Sequence, residues 1–276
     1  MNFDIDPFQR YFGNLKPNSE EDVLWYEKEF KTNTKKAITY KYNNEGFRCD
    51  DFMLKKSGMH ILFGGDSETE GAANLLEDTW SHILYNKIKE EFDVAGYYNV
   101  GKSGLTIAGV IMNVFQYIYE YGKPDCIFLQ LPDQVRYIAW DKDYGFVPRY
   151  PASTDDIKHV KSNFFYKNED ESSIVQINIF YSCLLFKTLI QFCNLNSIKL
   201  IWSSWHRPTA ISLIEKSNSK DGYVDTSTVG KEHWDIKIND LKGRDGIHKG
   251  RGFHKIWASK FYEEFLNDKN IKKNNS

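Results

Sequence analysis

Short apolar runs alternate with amphipathic stretches along most of this chain, and that alternation restricts its fold more than any other feature. His60-Ile61-Leu62-Phe63 reads as a short buried strand, and "NLLEDTWSHILYNKIKEEF" over about 74–92 reads as a helix. "AGYYNV" (95–100) is strand-like. The helix expected over about 105–121 carries Ile107, Val110, Ile111, Val114, Phe115 and Ile118 at helical spacing. "CIFLQL" (126–131) reads as a continuous buried strand, followed by a helix at about 173–194 and the strand "IKLIWSS" (198–204). A last helix carries Phe253, Ile256, Trp257 and Phe261. Strands and helices in this order predict a mostly parallel sheet with helices on both faces.

Around that frame, residues 1–55 read as a polar N-terminal extension packed on a main domain of 56–268, with a polar tail at 269–276. The extension ends in "ITYKYNNEGFRCDDF", which suggests a strand, a turn at Asn43-Asn44 and a break at Gly46. Residues 134–170 read as an irregular, aromatic-rich insertion, and the stretch after 204 as loop-rich. At 276 residues with 41% hydrophobic and 16% aromatic side chains, the chain can bury a sizeable core. A formal net charge of -2 argues against a dedicated nucleic-acid binder. The four cysteines show no CxxC and no metal-ligand spacing, and Cys126 and Cys183 read as buried thiols. A reducing compartment is therefore the default. "MNFDIDPFQRYFG" lacks the basic and apolar regions of a secretory signal, and no apolar run approaches the ~18 residues of a membrane span. The expected location is cytoplasmic, with no cofactor.

"HILFGGDSETEG" (60–71) carries the first chemical signal. Gly64 and Gly65 allow a sharp exit from the strand, because glycine has no Cβ to clash. Asp66 and Ser67 follow at the strand's carboxyl end, where open α/β sheets place their ligands. A serine there is either a nucleophile or the N-cap of the next helix. It does not belong to a G-x-S-x-G elbow, because Thr69 stands where the second glycine would be. A serine nucleophile needs a base, and the base needs an acid to fix its tautomer. "RDGIHKG" offers both, with Asp245 three residues before His248. A rival motif, "GYYNVGKS" (96–103), matches the phosphate-loop pattern G-x-x-x-x-G-K-[ST]. That loop needs a buried strand before its first glycine, and "KIKEEFDVA" reads mainly as a helix end. The expected reading is instead a strand ending in a glycine turn, with Lys102 in solvent.

"GGDSETEG" resembles the first sequence block of the SGNH/GDSL hydrolase family, and Thr79-Trp80 stands a helix later as it often does there. "NVGKSG" (99–104) resembles the second block, an asparagine followed by a glycine five positions on. "DGIHKGRGFHKIWA" resembles the last block, and "NNEGFRCDDF" resembles a lead-in found in some members. The resemblance spans roughly residues 40–265. It implies a three-layer α/β/α sandwich with a mostly parallel, flavodoxin-like sheet. It also implies Ser67 as nucleophile, His248 as base and Asp245 as orienting acid, with the Ser67 and Gly104 amides in the oxyanion hole. The family's third block, G-x-N-D, is absent. "PDQVRY" stands there, and Gln134 is the nearest equivalent of the missing asparagine.

These readings converge on a serine hydrolase of an ester, with an O-acetyl group on a carbohydrate as the favoured substrate. Tyr137, Trp140 and His206 are candidate substrate contacts. The aromatic residues of 134–170 suit either a substrate wall or a small satellite core. Two alternatives stand beside the esterase: a non-catalytic binding module on a degenerate version of the same fold, and the nucleotide-binding reading. The oligomeric state is left open.

Overall fold

A computed structural model describes residues 18–23, 38–54, 57–141, 145–149, 171–226, 242–243 and 248–267. Four strands form its central sheet: β3 (Ile61–Gly65), β4 (Tyr98–Asn99), β5 (Cys126–Leu131) and β8 (Lys199–Ser204). They lie in the order β4-β3-β5-β8, and every neighbouring pair is parallel. The chain thus steps from β3 to one side, then crosses back to build the other. Between β3 and β5 the winding reverses, and the crevice beyond their carboxyl ends is where such sheets bind ligands. Two antiparallel pairs lie outside this sheet: β1 (Glu20–Val23) with β2 (Ile38–Lys41), and β6 (Tyr137–Asp141) with β7 (Gly145–Arg149).

Period-two alternation sorts the strand residues into two cores. Leu62, Ile127, Leu129 and Trp202 face α3 (Ile107–Tyr121) and α4 (Glu171–Leu195), where Val110, Val114, Phe186 and Leu189 complete one layer. Ile61, Phe63, Phe128 and Ile201 face α2 (Trp80–Lys89) and α6 (Arg251–Leu266), where Trp80, Leu84, Trp257 and Phe261 complete the other. Helices therefore cover both faces, and the fold is a three-layer α/β/α sandwich. Phe63 and Phe128 stack across neighbouring strands at 5.4 Å with no exposed surface. Each contributes about 1.5–3 kcal/mol by burial alone.

Several elements differ from the sequence expectation. The helix expected over 74–92 is a short 3-10 turn at Leu76–Asp78 followed by α2, because Thr79 is extended and its hydroxyl bonds back to the Leu76 carbonyl at 2.7 Å. The strand expected over 95–100 shrinks to two residues, as an edge strand paired only with β3. The insertion at 134–170 is not wholly irregular. It opens with the antiparallel pair β6 and β7, registered from Tyr137 opposite Arg149 to Asp141 opposite Gly145. The loop-rich stretch after 204 contains α5 (Arg207–Ser217), which starts with Pro208 in its first turn and stops at Asn218 in the left-handed region. Proline in a first helical turn costs nothing, since that N–H has no partner within the helix.

Gly65 is where the fold tolerates least. A Cβ there would lie 1.9 Å from Thr69 Oγ1 and 2.6 Å from the Gln130 carbonyl. Gly65→Ala is expected to destabilise the protein by about 3 kcal/mol or more, read by chemical denaturation. A loss under about 1 kcal/mol would show that Thr69 is free to move.

Candidate active site

Strand β3 delivers its chemistry through a tight turn. Asp66 is the N-cap of α1 (Ser67–Glu70), and its side chain accepts the Glu68 N–H at 3.1 Å. This satisfies a donor that the helix itself leaves open. Ser67 is thus held at the first position of a one-turn helix directly beyond the sheet. Thr69 folds back beneath it and fills the space that Gly65 and Gly101 leave by having no side chain. The Thr69 carbonyl accepts Asn99 Nδ2 at 2.9 Å and Ser81 Oγ at 3.3 Å, and its hydroxyl accepts the Trp80 indole N–H at 3.3 Å.

Three distant segments close on this turn. Glu70, almost fully buried, accepts the Ser103 N–H at 2.7 Å and bonds the Ser103 hydroxyl, while Lys102 Nζ pairs with its other oxygen at 2.9 Å. That clamp holds the loop carrying Gly104, whose φ of 84° lies in the left-handed region that glycine accepts without strain. After β5, Arg136 Nη1 lies 2.9 Å from Asp66 Oδ2 and donates to the Leu105 carbonyl at 3.2 Å. From the C-terminal side, the Lys249 N–H donates to Glu68 Oε1 at 3.2 Å, and Asn74 Nδ2 donates to the Lys249 carbonyl at 3.0 Å. His248, next to Lys249, is fixed through its own carbonyl, which accepts the Gly243 N–H at 2.8 Å.

The site gathers buried charge. Burial raises the Asp66 carboxyl above the usual carboxylate range, against the Arg136 guanidinium, which favours the ion. Burial, with the nearby Asp66, also pushes Glu68 up to about 7, while His248 and Lys249 oppose the rise. His254, without exposed surface, is driven down to about 3 by burial, and its Nδ1 accepts the Trp80 N–H at 3.0 Å. The 3.6 Å approach of His254 Nε2 to Glu68 therefore joins a neutral ring to a carboxyl and is not a salt bridge. Among the described residues, Glu68 Oε2 and Gln134 Oε1 are buried here without a hydrogen bond, while Asp66 Oδ2 is ion-paired with Arg136. Such groups are costly elsewhere and concentrate at functional sites.

Among the sequence-predicted residues, Ser67, the Gly104 loop and His248 come to the carboxyl end of β3. Gln134 lies beyond the end of β5, two residues before Arg136. Its backbone is anchored by Thr209 Oγ1 at 3.1 Å and Asn178 Nδ2 at 3.2 Å. His206 borders the same end at the N-terminus of α5, with Nδ1 3.0 Å from Thr209 Oγ1 and 3.2 Å from Asp133 Oδ1. Asp245 lies outside the described residues, as do the side chains of Tyr137 and Trp140, whose backbone belongs to β6. One expectation is corrected. Lys102 is not in solvent: its side chain is 13% exposed, it pairs with Glu70, and it lies 4.6 Å from the Tyr42 ring centroid. The phosphate-loop pattern also lacks its loop, because Tyr98 and Asn99 form β4 and the following helix starts only at Ile107. Sequence reasoning missed Glu68, Glu70 and Arg136. Only their proximity to motif residues hinted at them.

Glu68 makes a pH-dependent contribution whose sign is fixed by its raised pKa. The folded protein favours the protonated acid, so stability is greatest below the ordinary carboxylate range, falls as pH rises from there to about 7, and levels off above it. Glu68→Gln keeps the shape without the charge. Its melting temperature relative to the native protein should rise by on the order of 5 °C between pH 5 and pH 8. A difference that stays constant with pH would show that Glu68 is not charged at a cost.

No protein-family model matches the sequence, and no curated protein is similar enough to be matched. Among the described residues no helix is long and apolar enough to cross a membrane. Solved structures do resemble the chain. The psychrotrophic esterase EstA from Pseudoalteromonas sp. is 14% identical, with 75% of this chain and 98% of that chain covered and a TM-score of 0.44. Axe2, an acetylxylan esterase from Geobacillus stearothermophilus, is 15% identical over 80% of this chain and 99% of that chain, with a TM-score of 0.45. TesA is 13% identical over 74% of this chain and 97% of that chain, with a TM-score of 0.43. The chain is thus similar to these three structures over about three quarters or more of its length.

Proposed function

We propose that the chain hydrolyses an ester through an acyl-enzyme on Ser67. Ser67 Oγ attacks the carbonyl carbon as His248 takes its proton, and Asp245 holds the imidazole in the required tautomer. The Ser67 and Gly104 amides, with the Gln134 side-chain amide as third donor, stabilise the oxyanion of the tetrahedral intermediate. His248 returns the proton to the leaving alcohol, and water then releases the acid by the same route in reverse. The observation that carries this reading is the 3.2 Å bond from Lys249 N to Glu68, which joins the neighbours of His248 and Ser67 across 181 residues of chain.

The favoured substrate is a small acyl group on a carbohydrate. The aromatic stretch after β5 supports that preference, since aromatic faces suit sugar rings. In the sequence Tyr137, Trp140 and Tyr144 follow within ten residues of Gln134.

A fluorophosphonate should label the native protein once, at Ser67, and short-chain nitrophenyl esters should turn over. Ser67→Ala should lose both while staying folded, because a helix of one turn loses little with that hydroxyl. Equal hydrolysis by the native protein and Ser67→Ala would remove the serine mechanism. In the same assay Gln134→Ala should lower kcat by roughly 10²-fold with little change in KM, since its contact forms mainly in the transition state. An unchanged kcat would place the third donor elsewhere.

A further inference from the structure

Arg136 stands in the part of the sequence where the third block is missing, and it is 8% exposed. Its backbone is held on both sides. The N–H donates to the Asp133 carbonyl at 3.3 Å, and its carbonyl accepts Asn178 Nδ2 at 2.6 Å. The guanidinium then reaches two other segments at once. It forms a close ion pair with Asp66 at 2.9 Å and a hydrogen bond to the Leu105 carbonyl at 3.2 Å. Its carbon lies 5.9 Å from the Trp205 ring centroid, which walls the group from the β8 side.

Asp66 precedes Ser67, and Leu105 follows Gly104. One side chain therefore touches the immediate neighbours of both residues whose backbone amides would receive the oxyanion. The spacing of such donors decides their worth, and a misplacement near 1 Å costs about 10²-fold in rate. Both contacts come from Nη1, whose two N–H bonds are fixed in the guanidinium plane, whereas a lysine ammonium is a freely rotating point charge on a flexible stem. The pair is also shielded from water, so its attraction is little screened.

We propose that Arg136 is a positioning residue that sets the separation of the Ser67 and Gly104 amides, the two backbone donors that act beside the Gln134 side chain. The proposal rests on the serine hydrolase reading, and the test separates the two. Ester turnover, fluorophosphonate labelling and amide hydrogen exchange are measured on the native protein, Arg136→Lys and Arg136→Ala. Folding of each variant is checked by circular dichroism. With the native protein active, Arg136→Ala should lose about 10²-fold in kcat with KM within a few-fold. Arg136→Lys should recover only part of that loss, and tens of millimolar guanidinium ion should partly restore Arg136→Ala without stimulating the native protein. A folded Arg136→Ala with native kcat would overturn the positioning role and leave the hydrolase reading intact. Should the native protein be neither labelled nor active, the hydrolase reading fails first. Hydrogen exchange then decides the strap: faster exchange in Arg136→Lys confined to residues 66–71 and 101–106 supports it, and unchanged exchange there overturns it. Arg136→Lys serves that purpose even if Arg136→Ala does not fold.

Discussion

Thr69 has no exposed surface, and three pieces of chain close on it: Gly65 at the end of β3, Asn99 of β4 with Gly101 just after it, and the Trp80 indole of α2. The two glycines are required because a Cβ on either would enter the threonine side chain. The threonine matters because its carbonyl and hydroxyl receive three buried donors, from Asn99, Ser81 and the Trp80 indole, the first two of which also bond the Tyr97 hydroxyl. An unmade hydrogen bond of that kind costs about 1–3 kcal/mol. The turn bearing Asp66 and Ser67 has no other way to leave the sheet while those contacts stand.

That rigid turn explains why side chains two and four positions apart do different work. Asp66 points toward Arg136 and the β5 loop, Glu68 toward the His248 loop, and Glu70 toward the Ser103–Gly104 loop. Alternate acidic residues of one short helix thus each hold a separate segment. The arrangement gathers three carboxyls at one sheet end, which burial alone would make unfavourable. It is sustained by cations or N–H donors on each: Arg136 for Asp66, the Lys249 amide for Glu68, and Lys102 with Ser103 for Glu70. Burial still leaves Asp66 and Glu68 with raised pKa values. Stability given up in this way is what a site kept ready for chemistry requires.

The sheet was legible because its strands are buried on both faces and read as nearly continuous apolar runs, as "CIFLQL" does over β5, with Gln130 its one polar residue. Long helices were legible from their apolar periodicity, with α3 starting at Ile107, behind the Thr106 cap, about two residues beyond the expected bound. Elements fixed by local exceptions were not. Thr79 splits the expected 74–92 helix through one backbone torsion pair, and α5 hides behind His206-Arg207-Pro208. At the site, Ser67, Gly104 and His248 were visible as motif residues. Glu68, Glu70 and Arg136 were not, because a charged residue beside a motif looks the same in sequence whether solvated or buried. Lys102 shows the converse error, a lysine assigned to solvent that the fold turns onto Glu70 and Tyr42.

The convergence of distant segments on Ser67 is tested most directly by a crystal structure of the protein after reaction with a small alkyl phosphonate, a tetrahedral mimic of the intermediate. Phosphorus should be bonded to Ser67 Oγ, with its phosphoryl oxygen within hydrogen-bond distance of the Ser67 and Gly104 amides and the His248 ring beside the leaving-group position. Phosphorus on any other residue, or a bonded Ser67 whose phosphoryl oxygen points away from Gly104, would contradict it.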